Sequence, residues 1–420
     1  MKRRSKTTNS CSITGTRGHY TNRSLARCLS ARFFCLFFIT AILIANSTAQ
    51  DPLTTHLRNA VRFLSAGNLN NAEAELQSVL KSSPNEYRAR DLLGVVRVLQ
   101  HREIDAETLF QQAIQNRADF ASAHAHLGRL YAQTGRDVDA IPELQTALRL
   151  DPNRTDAFDA LLQLFRQHAK EAEISGDLKQ SLGLLIEARK LAPKNPDVQF
   201  EFASAAFKMS LLQDAVDGFR EALSQRRDDA LAIYELGRAY GGLGRLEEAR
   251  QEFEHYVVLR PDDPSGYCSL GITFAALDQP AEARIQFRKS IALAPEQTEA
   301  YFRLGNLELR TNDLDSARTH LKHTLDRDPD HAGGLSALGH LEFSQKHYSE
   351  AADLLLRAVS LDDSLLEAHY YLALSYGRLG QKADSDREFE RVSQLQKLDV
   401  EKRRSLWNRL VLPPANSTPK

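Results

Sequence analysis

The sequence predicts an all-α fold in which about ten helix-turn-helix repeats stack into a solenoid. Three observations predict it. Apolar and small residues recur every 34 residues from Leu53 onward, a glycine often divides each copy, and a proline often ends it. A single pair of helices cannot bury its own apolar stripe, so neighbouring copies must pack on one another.

Each copy contains two amphipathic helices. Counting from 1 at the start of a repeat, large apolar residues at positions 4, 7 and 11 share one stripe of the first helix. A small residue at position 8 lets the second helix approach, and that helix presents alanine at position 20 and an apolar residue at position 24. Glycine at position 15 suits the turn between the helices, and proline at position 32 stops the second helix. The clearest copy, 230–263, contains Leu236-Gly237, Tyr240, Gly244, Ala249, Phe253 and Pro261.

This pattern resembles the tetratricopeptide repeat family over residues 53–399. The resemblance implies a right-handed α-solenoid whose first helices line a concave groove. Some copies depart from the family pattern: Arg97 stands at position 11 of the second repeat, where an aromatic residue is usual, and Phe202-Ala203 replaces Leu-Gly in the fifth. The ten repeats start at residues 53, 87, 121, 155, 196, 230, 264, 298, 332 and 366.

The fourth repeat is longer than the others. It has seven extra residues between Phe165 and Gly176, which is about two helical turns. We therefore expect its first helix to run on past the usual turn. The extension is either a tolerated insertion or an element that docks a partner.

The N-terminal segment, residues 1–49, predicts export. A basic stretch ending at Arg32 precedes an apolar run at 33–45, and small residues at Ser47 and Ala49 favour cleavage after Ala49. The apolar run is short for a membrane span, which needs about 20 residues, and this favours a cleaved signal peptide. The long basic region before the run leaves a retained signal anchor as the alternative. The expected location is the periplasm, the cell envelope or the medium.

The charge balance argues against a nucleic-acid partner. The whole chain carries a formal net charge of −1, but residues 1–49 contain eight basic side chains and no acidic ones, so the rest of the chain is at −9. A phosphate-binding surface needs the opposite balance. Cys268 is the single cysteine after residue 49, so no disulfide can form within the repeats.

Two short segments follow the repeats. In residues 400–412, Leu406, Trp407 and Leu410 share one face of a helical pattern, which predicts the capping helix that a terminal repeat needs for solubility. The proline-containing residues 413–420 predict a disordered tail.

The candidate binding surface follows from the family resemblance, which places groove residues at positions 2, 5, 9, 12 and 13. These positions carry many Arg, Gln and Tyr side chains, which are frequent anchors of protein interfaces. We expect an extended peptide or an acidic segment of a partner protein to lie there. The candidate residues are Arg129, Gln133, Gln163, Arg166, Lys208, Tyr234, Arg238, Asn306, Arg310, His340, Tyr370 and Arg378.

Catalytic and metal-binding patterns are weak by comparison. The sequence contains neither a glycine-rich phosphate loop nor a Gly-x-Ser-x-Gly nucleophile motif. We interpret Cys268 as a structural thiol, because no histidine is placed beside it by sequence. His320 and His323 are three residues apart, a spacing that suits a metal, but we interpret them as solvated histidines. No cofactor or metal is predicted.

The leading hypothesis is a non-catalytic protein–protein interaction scaffold exposed outside the cytoplasm. A second hypothesis is an accessory subunit of a polysaccharide synthesis or export system, or of a protein-secretion system. An enzyme is disfavoured because the repeats leave little chain for a catalytic domain.

Overall fold

A computed structural model describes the backbone of residues 51–411 and the side chains of residues 51–398. This part of the chain forms twenty α-helices and contains no strand, and the helices are arranged as ten consecutive helix-turn-helix pairs. The first helices of the pairs are α1 Pro52–Ser65, α3 Tyr87–Leu99, α5 Ala121–Gln133, α7 Thr155–Ile174, α9 Pro196–Lys208, α11 Ala230–Gly242, α13 Pro264–Ala276, α15 Thr298–Arg310, α17 Ala332–Ser344 and α19 Leu366–Arg378. The second helices are α2 Leu69–Ser82, α4 Glu103–Asn116, α6 Asp137–Leu150, α8 Leu178–Leu191, α10 Leu212–Gln225, α12 Leu246–Leu259, α14 Pro280–Leu293, α16 Leu314–Arg327, α18 Tyr348–Leu361 and α20 Lys382–Val411.

The chain divides into two compact units, one ending at Leu164 and the other beginning at Phe165. The boundary falls inside α7. Within each unit, leaving α7 aside, the two helices of a repeat pack together, and each second helix also contacts the first helix of the next repeat. The sequence predicted one run of repeats, whereas the structure has the same pairing in two units.

The core is built by the residue at position 24 of the second helices. In the first unit these are Leu76, Phe110 and Leu144, and all three are fully buried. In the second unit Phe219, Phe287, Leu321 and Leu355 are equally buried, each within the apolar stripe of its repeat. This burial confirms the apolar periodicity read from the sequence.

The small residue at position 8 explains how the second helix comes so close. A Cβ atom added to Gly94 would lie 2.5 Å from the Phe110 ring, and one added to Gly339 would lie 2.5 Å from Leu355. Real Cβ contacts are not that short, so only glycine, or alanine with some movement, fits opposite the residue at position 24.

Position 15 adopts a left-handed backbone in every repeat of the described chain. Glycine occupies it in five repeats, for example Gly244 with φ of 73°, as the sequence predicted. The other five place a residue with a side chain in the same conformation, namely His101, Ser210, Asp278, Asn312 and Lys346. The turn is therefore imposed by the packing of the two helices, since residues that disfavour it still adopt it.

The first helix of the fourth repeat carries the extra residues. Helix α7 has 20 residues, whereas the first helices of the third and fifth repeats have 13 each. The insertion thus continues a helix rather than forming a loop, as the sequence predicts.

The C-terminal helix is continuous. Helix α20 runs from Lys382 to Val411 without a break, so residues 400–411 extend the second helix of the tenth repeat instead of forming a separate helix. Their side chains lie outside the described residues, and their capping role stays a prediction. The same holds for the signal segment at 1–49 and the tail at 413–420. Of the helices described, none combines the length and apolar character that a membrane crossing requires.

Three repeats replace the large apolar residue at position 4 with histidine. His56, His124 and His369 each place Nδ1 within 2.5–2.6 Å of a glutamate at position 23 of the second helix. His124 is buried, and its Nε2 lies 3.0 Å from the carbonyl oxygen of Ala118. Since both partners accept hydrogen bonds, both ring nitrogens must donate, and the ring carries a positive charge.

The His124 pair predicts a pH-dependent stability. The hydrogen bond to Glu143 raises the pKa of His124 despite the opposing effect of burial. The stabilisation is therefore complete below the unfolded pKa of about 6.5 and is lost as the pH rises through the higher folded pKa. We expect His124→Gln to lower the thermal midpoint more at pH 6 than at pH 9. His255→Gln, at an exposed ring, is the control, and an equal loss at both pH values would contradict the charged pair.

Charged residues replace the aromatic residue at position 11 in some repeats, and they pair with position 21 of the preceding repeat. Arg97 donates two hydrogen bonds of 2.7 Å to Glu73, and the pair lowers the pKa of Glu73 to about 2. At the junction of the eighth and ninth repeats the charges are reversed, because the fully buried Glu342 accepts two hydrogen bonds from Arg318. The departure that the sequence showed at Arg97 is thus one half of an ion pair between repeats.

Candidate protein-binding face

The candidate groove residues lie on the first helices, at the positions that the family resemblance assigned to them. We call this surface the first-helix face and define it by positions 2, 5, 9, 12 and 13 of each repeat. It is described separately for the two units.

In the first unit, the first-helix face contains an apolar pocket of about 80 Å³ between α3 and α5. Val95, Val98 and Leu99 of α3 supply its apolar wall, at positions 9, 12 and 13 of the second repeat. The candidate residues Arg129 and Gln133 of α5 supply a polar rim, and the pocket is completed by Phe110, His126 and Leu130. The structure therefore brings these two candidates together around one site.

The rim of this pocket is held in place by ion pairs. The Arg129 guanidinium lies 3.7 Å from a carboxylate oxygen of Asp156, and burial lowers the pKa of Arg129. His126 Nδ1 lies 2.8 Å from Asp91, whose side chain is almost fully buried. Gln163, on the part of α7 that belongs to this unit, is exposed.

In the second unit, the candidate cations on α7 and α9 already hold carboxylates. Arg166 donates two hydrogen bonds, of 2.6 and 2.8 Å, to Glu201. Lys208 pairs with Glu173. These pairs link adjacent first helices, and an acidic partner would have to displace them.

The sixth repeat places its two candidates side by side. The Tyr234 hydroxyl lies 3.0 Å from the Ser269 hydroxyl of the next repeat, and its ring packs against Tyr256. Arg238 lies over the Phe207 ring at 4.8 Å and donates to Glu235 of its own helix. Both side chains thus have partners within the protein.

The last three repeats carry an aromatic cluster and exposed cations. The His340 ring stacks on Tyr371 at 3.8 Å and its Nδ1 lies 3.1 Å from Glu367. The Tyr370 side chain is 42% exposed. Among the described residues, no ion pair or hydrogen bond is formed by the remaining candidate side chains, which are Asn306, Arg310 and Arg378.

The apolar wall of the pocket was missed by the sequence reasoning. That reasoning searched the groove positions for polar and aromatic residues, and Val95, Val98 and Leu99 occupy the same positions of the second repeat. A search for apolar residues at the same positions of the 34-residue repeat would have identified them. The pairing of Arg166 and Lys208 with carboxylates could not be read from the period, because each partner lies 35 residues away on another helix.

The cysteine and the two histidines considered for catalysis or metal binding have contacts within the protein. Burial raises the pKa of Cys268 to about 11, which keeps the thiol protonated at neutral pH, in agreement with the sequence interpretation. His320 and His323 are partly exposed, and each also has a partner within the protein. His320 Nδ1 lies 2.6 Å from the buried Glu308, and the His323 ring stacks on Tyr301 at 3.8 Å. The Glu308 carboxylate thus holds His320, and the Tyr301 ring holds His323.

One cluster among the described residues has the composition of a metal site. Ligand atoms of Glu342, His347 and Glu350 lie within 4.8 Å of one another. However, Arg318 donates to both carboxylate oxygens of Glu342, so a metal ion would compete with a guanidinium that is already in place.

Comparison with known proteins places these features in a family. A sequence model of the tetratricopeptide repeat matches residues 105–155, 200–264, 268–332 and 303–365. Human DnaJ homolog subfamily C member 3 is 22% identical over 197 residues, which cover 45% of this chain and 39% of the relative. The chain thus spans about two fifths of the length of that curated relative.

Two solved structures resemble part of the chain at low similarity. The pilF protein of Pseudomonas aeruginosa is 21% identical, with a TM-score of 0.44, and covers 51% of this chain and 98% of its own. MamA from Desulfovibrio magneticus RS-1, from residue 41 to its end, is 21% identical with a TM-score of 0.39 and covers 41% and 97%. Because the repeat model matches just over half of the chain, and the described residues form its helix pairs, the chain belongs to the tetratricopeptide repeat family, whose repeats build protein–protein interaction scaffolds.

Proposed function

We propose that this protein is a non-catalytic scaffold that binds an extended segment of a partner protein along its first-helix face. The observation that carries the proposal is the pocket between α3 and α5. Its volume of about 80 Å³ is well below the roughly 300–1,000 Å³ of typical small-molecule sites. It suits one aliphatic side chain of a peptide.

The chemistry around the pocket matches peptide recognition. Apolar side chains of α3 offer a surface for an apolar side chain, and Leu99 is 45% exposed. Arg129 and Gln133 bring hydrogen-bond donors to the opposite side, where the backbone carbonyl groups of an extended segment could accept them. Apolar anchors with a polar rim are the common arrangement of protein interfaces.

We also propose that the protein is exported. The basic stretch, the apolar run at 33–45 and the small residues before Gln50 support this location. The first residue of the mature chain, read by N-terminal sequencing after production in an exporting host, separates cleavage from anchoring. A chain beginning at Gln50 means cleavage, and an uncleaved chain in the membrane fraction means a retained anchor.

The first-helix face is tested by peptides selected from a random phage-displayed library on the full-length chain. We expect Leu99→Lys to weaken their binding about tenfold or more, since burying one apolar side chain contributes about 1.5–3 kcal/mol. Affinity is measured by fluorescence anisotropy with labelled peptides. Leu99 is chosen because its exposure lets the variant fold.

Ile104→Lys is the matched control. It introduces the same charge in the same unit, on α4, at a side chain that is 82% exposed and outside the pocket. Selected peptides that bind Leu99→Lys as tightly as the unchanged protein would overturn the assignment of this face.

A further inference from the structure

A second pocket lies in the second unit, away from the first-helix face. It has a volume of about 470 Å³, and none of its lining residues occupies a first-helix-face position. The lining residues are Leu182, Ile186, Arg189, Lys190, Pro193, Phe202, Leu211 and Asp214. They come from α8, the turn that follows it, α9 and the beginning of α10.

The fifth repeat lacks two side chains that stack at the corresponding junction of other repeats. In the third repeat, Tyr131 at position 11 bonds to Glu107 of the preceding second helix, and Arg136 at position 16 covers its ring at 4.2 Å. The sixth repeat has the same stack, with Arg245 lying 4.5 Å over Tyr240.

In the fifth repeat these two positions are Ala206 and Leu211. Ala206 is fully buried and carries only a methyl group. The facing residue of α8 is Leu182, where the second repeat has Glu107. The junction therefore lacks the ring and the guanidinium, and Leu182 and Leu211 line the pocket there.

The walls of this pocket are apolar and partly open to solvent. Ile186 is 39% exposed and Leu211 is 40% exposed, while Phe202 is buried. Exposed branched side chains beside a concave apolar surface indicate a place that a partner side chain covers.

The charge at one end of the pocket specifies what that partner carries. The half-buried Arg189 guanidinium lies over the Phe202 ring at 4.4 Å. Among the described residues it forms no ion pair and no hydrogen bond with a carboxylate. Its donors are thus available for an incoming carboxylate, which binds most strongly beside an apolar wall that excludes water. Lys190, by contrast, is already paired with Glu187.

We propose that this pocket is a second docking site, which takes a partner-protein segment with a bulky apolar side chain next to a glutamate or aspartate. The apolar side chain packs on Ile186, Phe202 and Leu211, and the carboxylate binds Arg189. The inference rests on the proposed scaffold function and adds a second, chemically distinct face to it. The rim is open and carries charges of both signs, because Asp214 lines the pocket together with Arg189 and Lys190. Such a rim favours a protein segment over a lipid tail.

The test uses short peptide probes on the full-length chain, observed by saturation-transfer difference NMR. The probes are acetyl-Leu-Phe-Glu-amide, its Lys counterpart acetyl-Leu-Phe-Lys-amide, and decanoate. We expect the Glu peptide to receive several-fold more saturation than the Lys peptide. Equal transfer to the two peptides would overturn the assignment of Arg189.

Arg189→Glu and Leu211→Lys should each abolish the transfer, the first by reversing the charge and the second by placing a charge in the apolar wall. Both variants must retain the helical circular-dichroism signal. Transfer that survives in Arg189→Glu and Leu211→Lys overturns the proposal. So does decanoate binding that these variants abolish when neither peptide binds.

The tests of the two binding sites are independent of each other. Leu99→Lys should leave binding of the Glu peptide unchanged, and Arg189→Glu should leave binding of library peptides to the first-helix face unchanged. Loss of the second site alone overturns this inference and spares the scaffold. If neither site binds its probe, the scaffold proposal itself is wrong.

Discussion

Alanine at Gly237 is expected to lower the free energy of unfolding by about 1–3 kcal/mol, as overpacking of a filled core does. The physical reason is the distance between α11 and α12. An added Cβ at Gly237 would lie 2.9 Å from the ring of Phe253, which is buried. The effect is measured as a shift of the urea midpoint followed by circular dichroism.

The matched control lies on the same helix. An added Cβ at Gly241 would meet no atom within 4 Å, so Gly241→Ala should be neutral or should stabilise by about 0.4–1 kcal/mol through the entropy of the unfolded chain. Opposite signs for the same substitution, four residues apart, would show that helix contact decides position 8. Destabilisation of equal size at both sites would contradict this explanation.

Removing the Arg318 side chain is expected to cost about 3–5 kcal/mol, because it leaves a buried carboxylate without its cation. Glu342 is fully buried, and burial alone would raise its pKa. Hydrogen bonds from Arg318 and His347 overcome that effect and lower the pKa. Arg318→Met should therefore lower the urea midpoint strongly at pH 7, and less at acid pH, where Glu342 can take up a proton.

Two further variants separate the ion pair from general damage. Arg303→Met removes a cation from an exposed pair with Glu299 and should cost about 1 kcal/mol or less. The double variant Arg318→Glu/Glu342→Arg should recover part of the loss, because the junction of the first two repeats holds the reversed pair of Glu73 and Arg97. A double variant no better than Arg318→Met would show that the site depends on more than the charge pair.

Much of the candidate site could be predicted from the sequence. The repeat period placed the candidate residues on the first helices, and it also contained the apolar wall at Val95, Val98 and Leu99. The repeat period could not show whether the candidate cations are already paired with carboxylates. Arg166 and Lys208 looked like anchors for an acidic partner, but each is neutralised by a glutamate on the neighbouring repeat.

The second pocket, too, could be predicted only in part from the sequence. Ala206 and Leu211 can be read from the sequence as departures at positions 11 and 16 of the fifth repeat. Their surroundings required the structure, because the packing of α8 and α9 covers Ala206 completely and leaves Leu211 at the pocket.

The sequence by itself determined the helices and their pairing, since these depend on the spacing of apolar, small and proline residues along one chain. Only the tertiary structure decided which charges are paired, where the chain divides into two units, and where the surface stays open. Those features depend on side chains that meet from different repeats, and their geometry is not encoded in the 34-residue period. The family membership therefore followed from the sequence, while the two binding faces to be tested came from the packing of the repeats.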